Sequence, residues 1–373
     1  MSDAPTDTFP SEDTDDATKV AVEAEQDNLR EFVRGLTGDD LKSGGWFTKL
    51  LAHALSSYTD KVDAAYFQER YQGVPADAVV EQRIKMAARY AALEGGLSAG
   101  AYTGAVAATI GSAGGASPLT LPAAAATVLV DVTFLTQLQL RLAYDIAVLY
   151  RVPIDVNDPD DLWKLIRVAF TVKGGEIAKD GALKVVPIAV RPLVRTFIKG
   201  PVLSAARGLP VVGKFLLQRN IIKIGIPLIG VPLAVLLNRY TTLVAGRHAR
   251  SVFRNDARII ELARNLSKRT EHPQLLLWVT WLMINVDGKS TEDETSLMRH
   301  VVRVVREEHQ IIDDELAELI ELKPDEVWKR LDAEPGDLSD IIDAAEQVAG
   351  VDGELNARER GLLHDLRQRY GRV

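Results

Sequence analysis

The chain has no cysteine among its 373 residues. Disulfide frameworks, zinc ribbons and thiol nucleophiles are thereby excluded, and a reducing cytosol is the expected setting. Histidine is scarce, with six scattered residues, and His309, beside Glu308, reads as a solvent-facing histidine on a helix. Several catalytic signatures are missing as well. No G-x-S-x-G elbow occurs, which removes the α/β-hydrolases. Gly111 to Gly115 does not fit G-x-G-x-x-G, and Gly288-Lys289-Ser290 fails as a Walker A loop because Met283 stands where that motif requires glycine. The N-terminus is acidic and polar, not a secretory leader, Ser2 occupies the place of a myristoylated glycine, and no prenylation box closes the chain.

Charge is abundant but unevenly placed. The net charge of −8 alone argues for solubility. Residues 1–31 hold ten acidic and two basic side chains, residues 163–254 sixteen basic and two acidic, and residues 255–373 return to acidic with 26 against 16. These are three electrostatically different regions.

Met1 to Ala17 is too polar to bury a core and is expected to be disordered. A helical period begins at Thr18 (Val20, Val22, Leu29, Phe32, Val33). After a polar break at Asp39–Gly45, Trp46, Phe47, Leu50, Leu51, Ala54 and Leu55 share one side of a second helix. Asp77 to Leu93 reads as another. Gly95 to Val130 then carries no charge, and Gly96, Gly100 and Gly104 form a stripe that lets a second helix approach closely. Beyond a turn at Gly114–Pro118, Ala123 to Tyr150 reads as a long apolar helix interrupted by Asp131, Gln137, Gln139, Arg141 and Asp145. Arg141 and Asp145 are spaced to pair. Buried ion pairing is one account of these groups, and a functional polar spot at membrane depth is the other.

Residues 181–245 are apolar, basic and broken by six prolines. Arg191, Arg195 and Lys199 form one cationic stripe on a helix, and Lys214, Arg219 and Lys223 extend the basic surface. Ile224 to Leu237 is 14 uncharged residues interrupted by Pro227 and Pro232, short of the roughly 20 that span a bilayer. Gly95–Val130 and Ile221–Leu237 therefore read either as shallow membrane insertions or as a buried hairpin. Basic residues interleaved with apolar ones suit an anionic lipid surface, at about 1 kcal/mol per Lys or Arg. Aromatic residues are too few between Lys164 and Arg254 for a nucleic-acid stacking platform.

From Asp256 onward amphipathic helices return, with a boundary expected near Leu266–Pro273. Here one turn occurs twice: Val286-Asp287-Gly288-Lys289-Ser290-Thr291-Glu292-Asp293-Glu294 and Val351-Asp352-Gly353-Glu354-Leu355-Asn356-Ala357-Arg358-Glu359, 65 residues apart. Each glycine is placed to end a helix. Thr291 and Asn356 are placed as N-caps, with Glu294 and Glu359 completing capping boxes. EF-hand coordination is excluded, because only the Asp before each glycine stands in place as a ligand ahead of it. A divalent cation shared among Asp287, Glu294, Asp352 and Glu359 is the alternative to capping alone. No other cofactor is indicated.

Two resemblances follow. Residues 75–255 resemble the EcsC family through Gly95–Ser117, the helix ending Ile146-Ala147-Val148-Leu149-Tyr150, Pro153-Ile154-Asp155, Leu209-Pro210-Val211-Val212-Gly213, and Asn238, Thr241 and Thr242. Arg151 departs from the family, which has glycine after the tyrosine. This resemblance implies association with membranes or membrane transport, without a catalytic residue set. Residues 270–370 resemble the TerB family, and the related domain of membrane-linked DnaJ-like co-chaperones, through both D-G-x5-E turns and Ala349-Gly350-Val351-Asp352-Gly353-Glu354-Leu355. That implies an all-helical bundle of tellurite-resistance and envelope-stress systems, with metal binding by its acidic residues as a suggested property. The expected protein is bacterial and all-α, with an acidic tail (1–17), amphipathic helices (18–74), an EcsC-like domain (75–266) and a TerB-like domain (267–373). It is expected to bind anionic lipid at the inner face of the cell membrane without catalysis, and to dock a protein partner or sense through its C-terminal domain. The alternatives are a lipid-acting enzyme using Asp131, Arg141 and Asp145, a soluble partner-binding protein with a buried hairpin, and a metal-sensing regulator.

Overall fold

The structure is a computed structural model that describes residues 15–111, 117–170, 230–288, 291–309, 323–353 and 355–371. Within them every regular element is a helix, so the fold is all-α as the periodicity predicts. The chain divides into two compact units, residues 1–253 and 254–373. The boundary expected near Leu266–Pro273 lies inside the second of these. The reason is that Ile259, Ala263 and Leu266 are buried in the C-terminal core.

The first unit is built on α1 (Asp15–Arg34), α2 (Gly38–Ser43), α3 (Trp46–Thr59), α4 (Ala64–Arg70), α5 (Ala76–Gly111), α6 (Ser117–Leu149), α7 (Pro159–Ala169) and the start of α8 (Gly230–Arg269). α1 begins at Asp15, inside the segment expected to be disordered. Only the preceding residues of the expected tail lie outside the described set. On α1, Val22, Leu29 and Val33 are buried, whereas Val20 faces solvent. All six apolar residues expected to line one side of α3 are buried.

The second long helix, α6, is the axis of this unit, and α1, α3, α4, α5 and α7 all pack on it. From Val130 to Ala147 nearly every side chain of α6 is buried, whichever way it points. A helix that is apolar all round must be enclosed on all sides. Partners along the chain fix the directions. Arg83 of α5 meets Asp145 of α6, and Asp77 meets Tyr150 just beyond it, so the two helices form an antiparallel hairpin. Asn238 and Gly246 of α8 face Glu94 and Ile84 of α5, but Asp131 and Leu142 of α6. Thus α8 runs against α5 and along α6.

Glycine permits that approach. A Cβ on Gly246 would sit 2.8 Å from Ile84 Cγ1 and 3.1 Å from Leu142 Cδ2, whereas one on Gly96 would meet only Val235, at 3.5 Å. Of these two the closer approach is at Gly246, and Gly100 and Gly104 of the expected stripe lie outside the residues whose side chains are described. The reading of Gly95–Val130 as a membrane insertion or a buried hairpin concerns the side chains of residues 99–126, and these are not among those described.

In the second unit α9 (Pro273–Asn285) is the central helix, packed by α10 (Glu292–His309), α11 (Pro324–Ala333) and α12 (Ser339–Ala349), with α13 (Ala357–Tyr370) against α12. Pro273 starts α9 at the position that has no N–H to satisfy. Leu275 to Thr280 and Leu282 to Ile284 are all buried. Each large aliphatic residue among them contributes about 1.5–3 kcal/mol.

Adding one methyl group at the α5–α6–α8 crossing is expected to be costly. Gly246→Ala should lower stability by about 1–3 kcal/mol through overpacking, read as a shifted denaturant midpoint. An unchanged midpoint would mean that the helices separate freely there.

Candidate functional site

The polar residues of α6 sit at two levels of the first unit. At the lower level, Asp145 is fully buried and receives Arg83 Nη2 at 2.6 Å, Arg83 Nε at 3.2 Å and the Tyr58 hydroxyl at 2.7 Å. Arg83 is itself fully buried and lies 5.4 Å from the Phe67 ring centroid. Burial, followed by the neighbouring Asp145 charge, pushes the Tyr58 hydroxyl well above its ordinary value, so it donates and stays neutral. Arg141 reaches α1 and α3, donating to Glu25 at 3.3 Å and to the Ala54 carbonyl at 3.0 Å, over the Tyr58 ring. Gln137 also donates to Glu25. Asp145 and Arg141 thus each find an ionic partner on another helix.

At the upper level Asp131 is one side of a carboxyl pair. Asn238 of α8 donates to both members, to Glu94 Oε2 at 3.2 Å and to Asp131 Oδ1 at 3.1 Å. The other oxygen of Glu94 accepts from Ser98 and, at 3.4 Å, from Gln26 of α1. Glu94 is fully buried. Desolvation, then the adjacent Asp131 charge, raises its carboxyl well above the ordinary glutamate value of 4.5, which favours the protonated form of Glu94. Side chains from four helices converge on this group: Gln26 of α1, Glu94 and Ser98 of α5, Asp131 of α6 and Asn238 of α8. Asp131, Arg141 and Asp145 are thus engaged at two separate levels of the helix and do not converge on one group.

The duplicated turn adopts one geometry twice. Gly288 and Gly353 take φ of 75° and 83°, and their N–H groups bond Asn285 and Gly350 at 3.2 Å in each case. Thr291 N–H donates to Glu294 at 2.6 Å, and Asn356 N–H donates to Glu359 at 2.8 Å. Both glutamates are buried in their capping boxes. The two turns also meet: Asn356 Nδ2 donates to Asp287 Oδ2 at 3.3 Å, and Arg358 to the Asp287 carbonyl at 3.2 Å. Burial first, then the charges of Glu294, Asp352 and Asp287, raise the Glu359 carboxyl. The four carboxylates proposed to share a cation are therefore neighbours. Among the described residues, however, no group of three or more histidine or acidic side chains is arranged to hold a metal ion.

Arg191, Arg195, Lys199, Lys214, Arg219 and Lys223 lie outside the described residues. Immediately beyond them, α8 presents Leu236 (63% exposed), Tyr240 (65%) and Val244 at four-residue intervals. Exposed Arg239 and Arg247 flank this apolar face. No helix among the described residues is long and apolar enough to cross a membrane. In the second unit, half-buried His309 contacts the hydroxyl of fully buried Ser267 at 3.1 Å, alongside Glu308 at 3.0 Å. It is therefore a packing residue, not a solvent-facing one.

Comparison with family models, with curated protein sequences and with solved structures returned no match. The sequence reading missed Glu94, Arg83, Gln26 and Tyr58. For Glu94 a signal existed, since it is the last charge before the long uncharged stretch.

Two outcomes test these assignments. A group whose folded-state pKa is raised stabilises the fold fully below its ordinary value, and that stability is lost as pH rises toward the folded value. Unfolding of the wild type should therefore become easier as pH rises above 4.5, and Glu94→Gln should flatten that slope in melts across pH. Equal slopes for both proteins would remove the proton from Glu94. Separately, Arg83→Met should cost about 3–5 kcal/mol by stranding a buried carboxylate, and a second change, Asp145→Leu, should recover much of it. A double-mutant denaturation cycle measures this coupling.

Proposed function

We propose that this protein binds the anionic surface of a membrane from the cytoplasmic side without spanning it and without catalysis, and that its acidic C-terminal unit docks a partner protein or senses. The observation that carries this reading is the exposed face of α8. Leu236, Tyr240 and Val244 expose apolar and aromatic surface beside Arg239 and Arg247. An apolar face edged by arginine is the pattern of helices that lie in the headgroup region. Its electrostatic context agrees, because residues 163–254 carry sixteen basic side chains against two acidic ones. The resemblance of residues 75–255 to the EcsC family, and of residues 270–370 to the TerB family, supports the same direction. The opposite charge of residues 255–373 keeps that unit from competing for the same lipid.

Co-sedimentation with vesicles tests this. Phosphatidylglycerol vesicles should retain the protein at low salt, and phosphatidylcholine vesicles far less. Arg191→Glu, Arg195→Glu and Lys199→Glu together should remove the salt-sensitive part, and Leu236→Asp with Tyr240→Asp the part that survives high salt. If neither vesicle retains the wild type at low salt, the membrane reading is lost.

A further inference from the structure

The end of α6 is closed by a left-handed turn. Val152 N–H donates to the Ala147 carbonyl and Arg151 N–H to the Val148 carbonyl, both at 2.9 Å. This pair of bonds requires a residue of positive φ between helix and loop, a position that glycine takes most readily. Arg151 holds it, with φ of 57°. Among the described residues every other positive-φ position is a glycine: Gly44, Gly73, Gly288 and Gly353. Arginine has no short side chain to stabilise this conformation locally, as asparagine or aspartate does. Non-glycine residues held in this region concentrate at ligand clamps and active sites, where the strain is offset by what the side chain does.

What the Arg151 side chain does is not internal. It is exposed, and no hydrogen bond or ion pair joins it to a described side chain. It lines a half-open pocket of about 410 Å³ between α4, the start of α5 and the end of α6. That volume is in the range of small-molecule sites. Arg151 is the one charged residue in the lining described. Phe67 and Tyr71, stacked with centroids 6.4 Å apart, supply aromatic walls. Val74 and Val148 add aliphatic surface, and Gln68 and Gln72 belong to the lining as well. The buried Arg83 guanidinium lies against the Phe67 ring, so the ion pair with Asp145 helps to set this wall.

We propose that this cavity binds a small amphipathic anion, with a carboxylate or phosphate on the Arg151 guanidinium and an apolar body against Phe67, Tyr71 and the two valines. Guanidinium forks hold such oxyanions through two parallel hydrogen bonds, and the glutamine amides offer further donors. Glycine would satisfy the turn with less strain, so the cation is what arginine contributes at this position. The site is separate from the α8 face and does not depend on it.

The test uses the full-length protein and decyl phosphate, titrated calorimetrically below its micelle concentration, with decyltrimethylammonium as the charge-reversed control. The phosphate should bind and the ammonium should not. Arg151→Gly should weaken binding at least about tenfold while raising Tm by about 2–4 °C, because the substitution removes charge and strain together. Arg151→Asn, which tolerates positive φ and carries no charge, should lose binding equally. Leu236→Asp with Tyr240→Asp should leave decyl phosphate binding unchanged, which separates this site from vesicle adhesion. A parallel arm measures retention on phosphatidylglycerol vesicles. If Arg151→Gly weakens that as well, the anion is a lipid headgroup, and if only the free phosphate arm responds, it is a soluble molecule. Undiminished binding by Arg151→Gly and Arg151→Asn in both arms, or no binding by the wild type in either, overturns the proposal.

Discussion

A carboxylate with no exposure to water has to be neutralised by something, and in the first unit this requirement organises everything around α6. Asp145 is met by Arg83, and Tyr58 gives it a second donor. Those three residues come from α6, α5 and α3, so one charge ties three helices into a single register. Isolated, the charge would cost several kcal/mol of desolvation. Paired and hydrogen-bonded it contributes little net stability, but it discriminates strongly among packings: a slip of one helical turn leaves two buried charges without partners. Arg141 with Glu25, and Glu94 with Asp131 and Asn238, repeat the rule at other levels of the helix.

The parts of this architecture that were legible in the sequence are those governed by local spacing. The buried side of α3 follows from Trp46, Phe47, Leu50, Leu51, Ala54 and Leu55. The duplicated turn was readable in detail, down to Thr291 and Asn356 as caps, because caps and left-handed glycines act over three or four residues. The ionic network was not readable, because Arg83 and Asp145 are 62 positions apart, and spacing along one helix reveals only neighbours on that helix. The boundary between units was displaced for a similar reason. The pattern breaks at Ser267–Pro273, but burial of Ile259 and Ala263 already belongs to the C-terminal core.

The interior and the surface divide the labour. Interior polar residues of α6 are engaged with side chains of the surrounding helices and specify how the helices pack. The two binding surfaces proposed above lie where a side chain departs from what packing requires: an arginine in a glycine's conformation, and a leucine and a tyrosine turned outward on α8. Local consistency is broken at these points, and such breaks are where function is expected in a well-folded sequence.

The Glu94 carboxyl, whose proton affinity burial raises, lies beneath α8 out of contact with solvent, so that a hydrogen it carries is enclosed there. Proton transfer to water is fast only where water is present, so this hydrogen leaves at the rate at which the helices part. Its replacement by deuterium is therefore a clock. Each exchange event counts one opening of the α5–α6–α8 layer, and the carboxyl keeps a record of how often the interior breathes, on a timescale that the surface carboxylates cannot register.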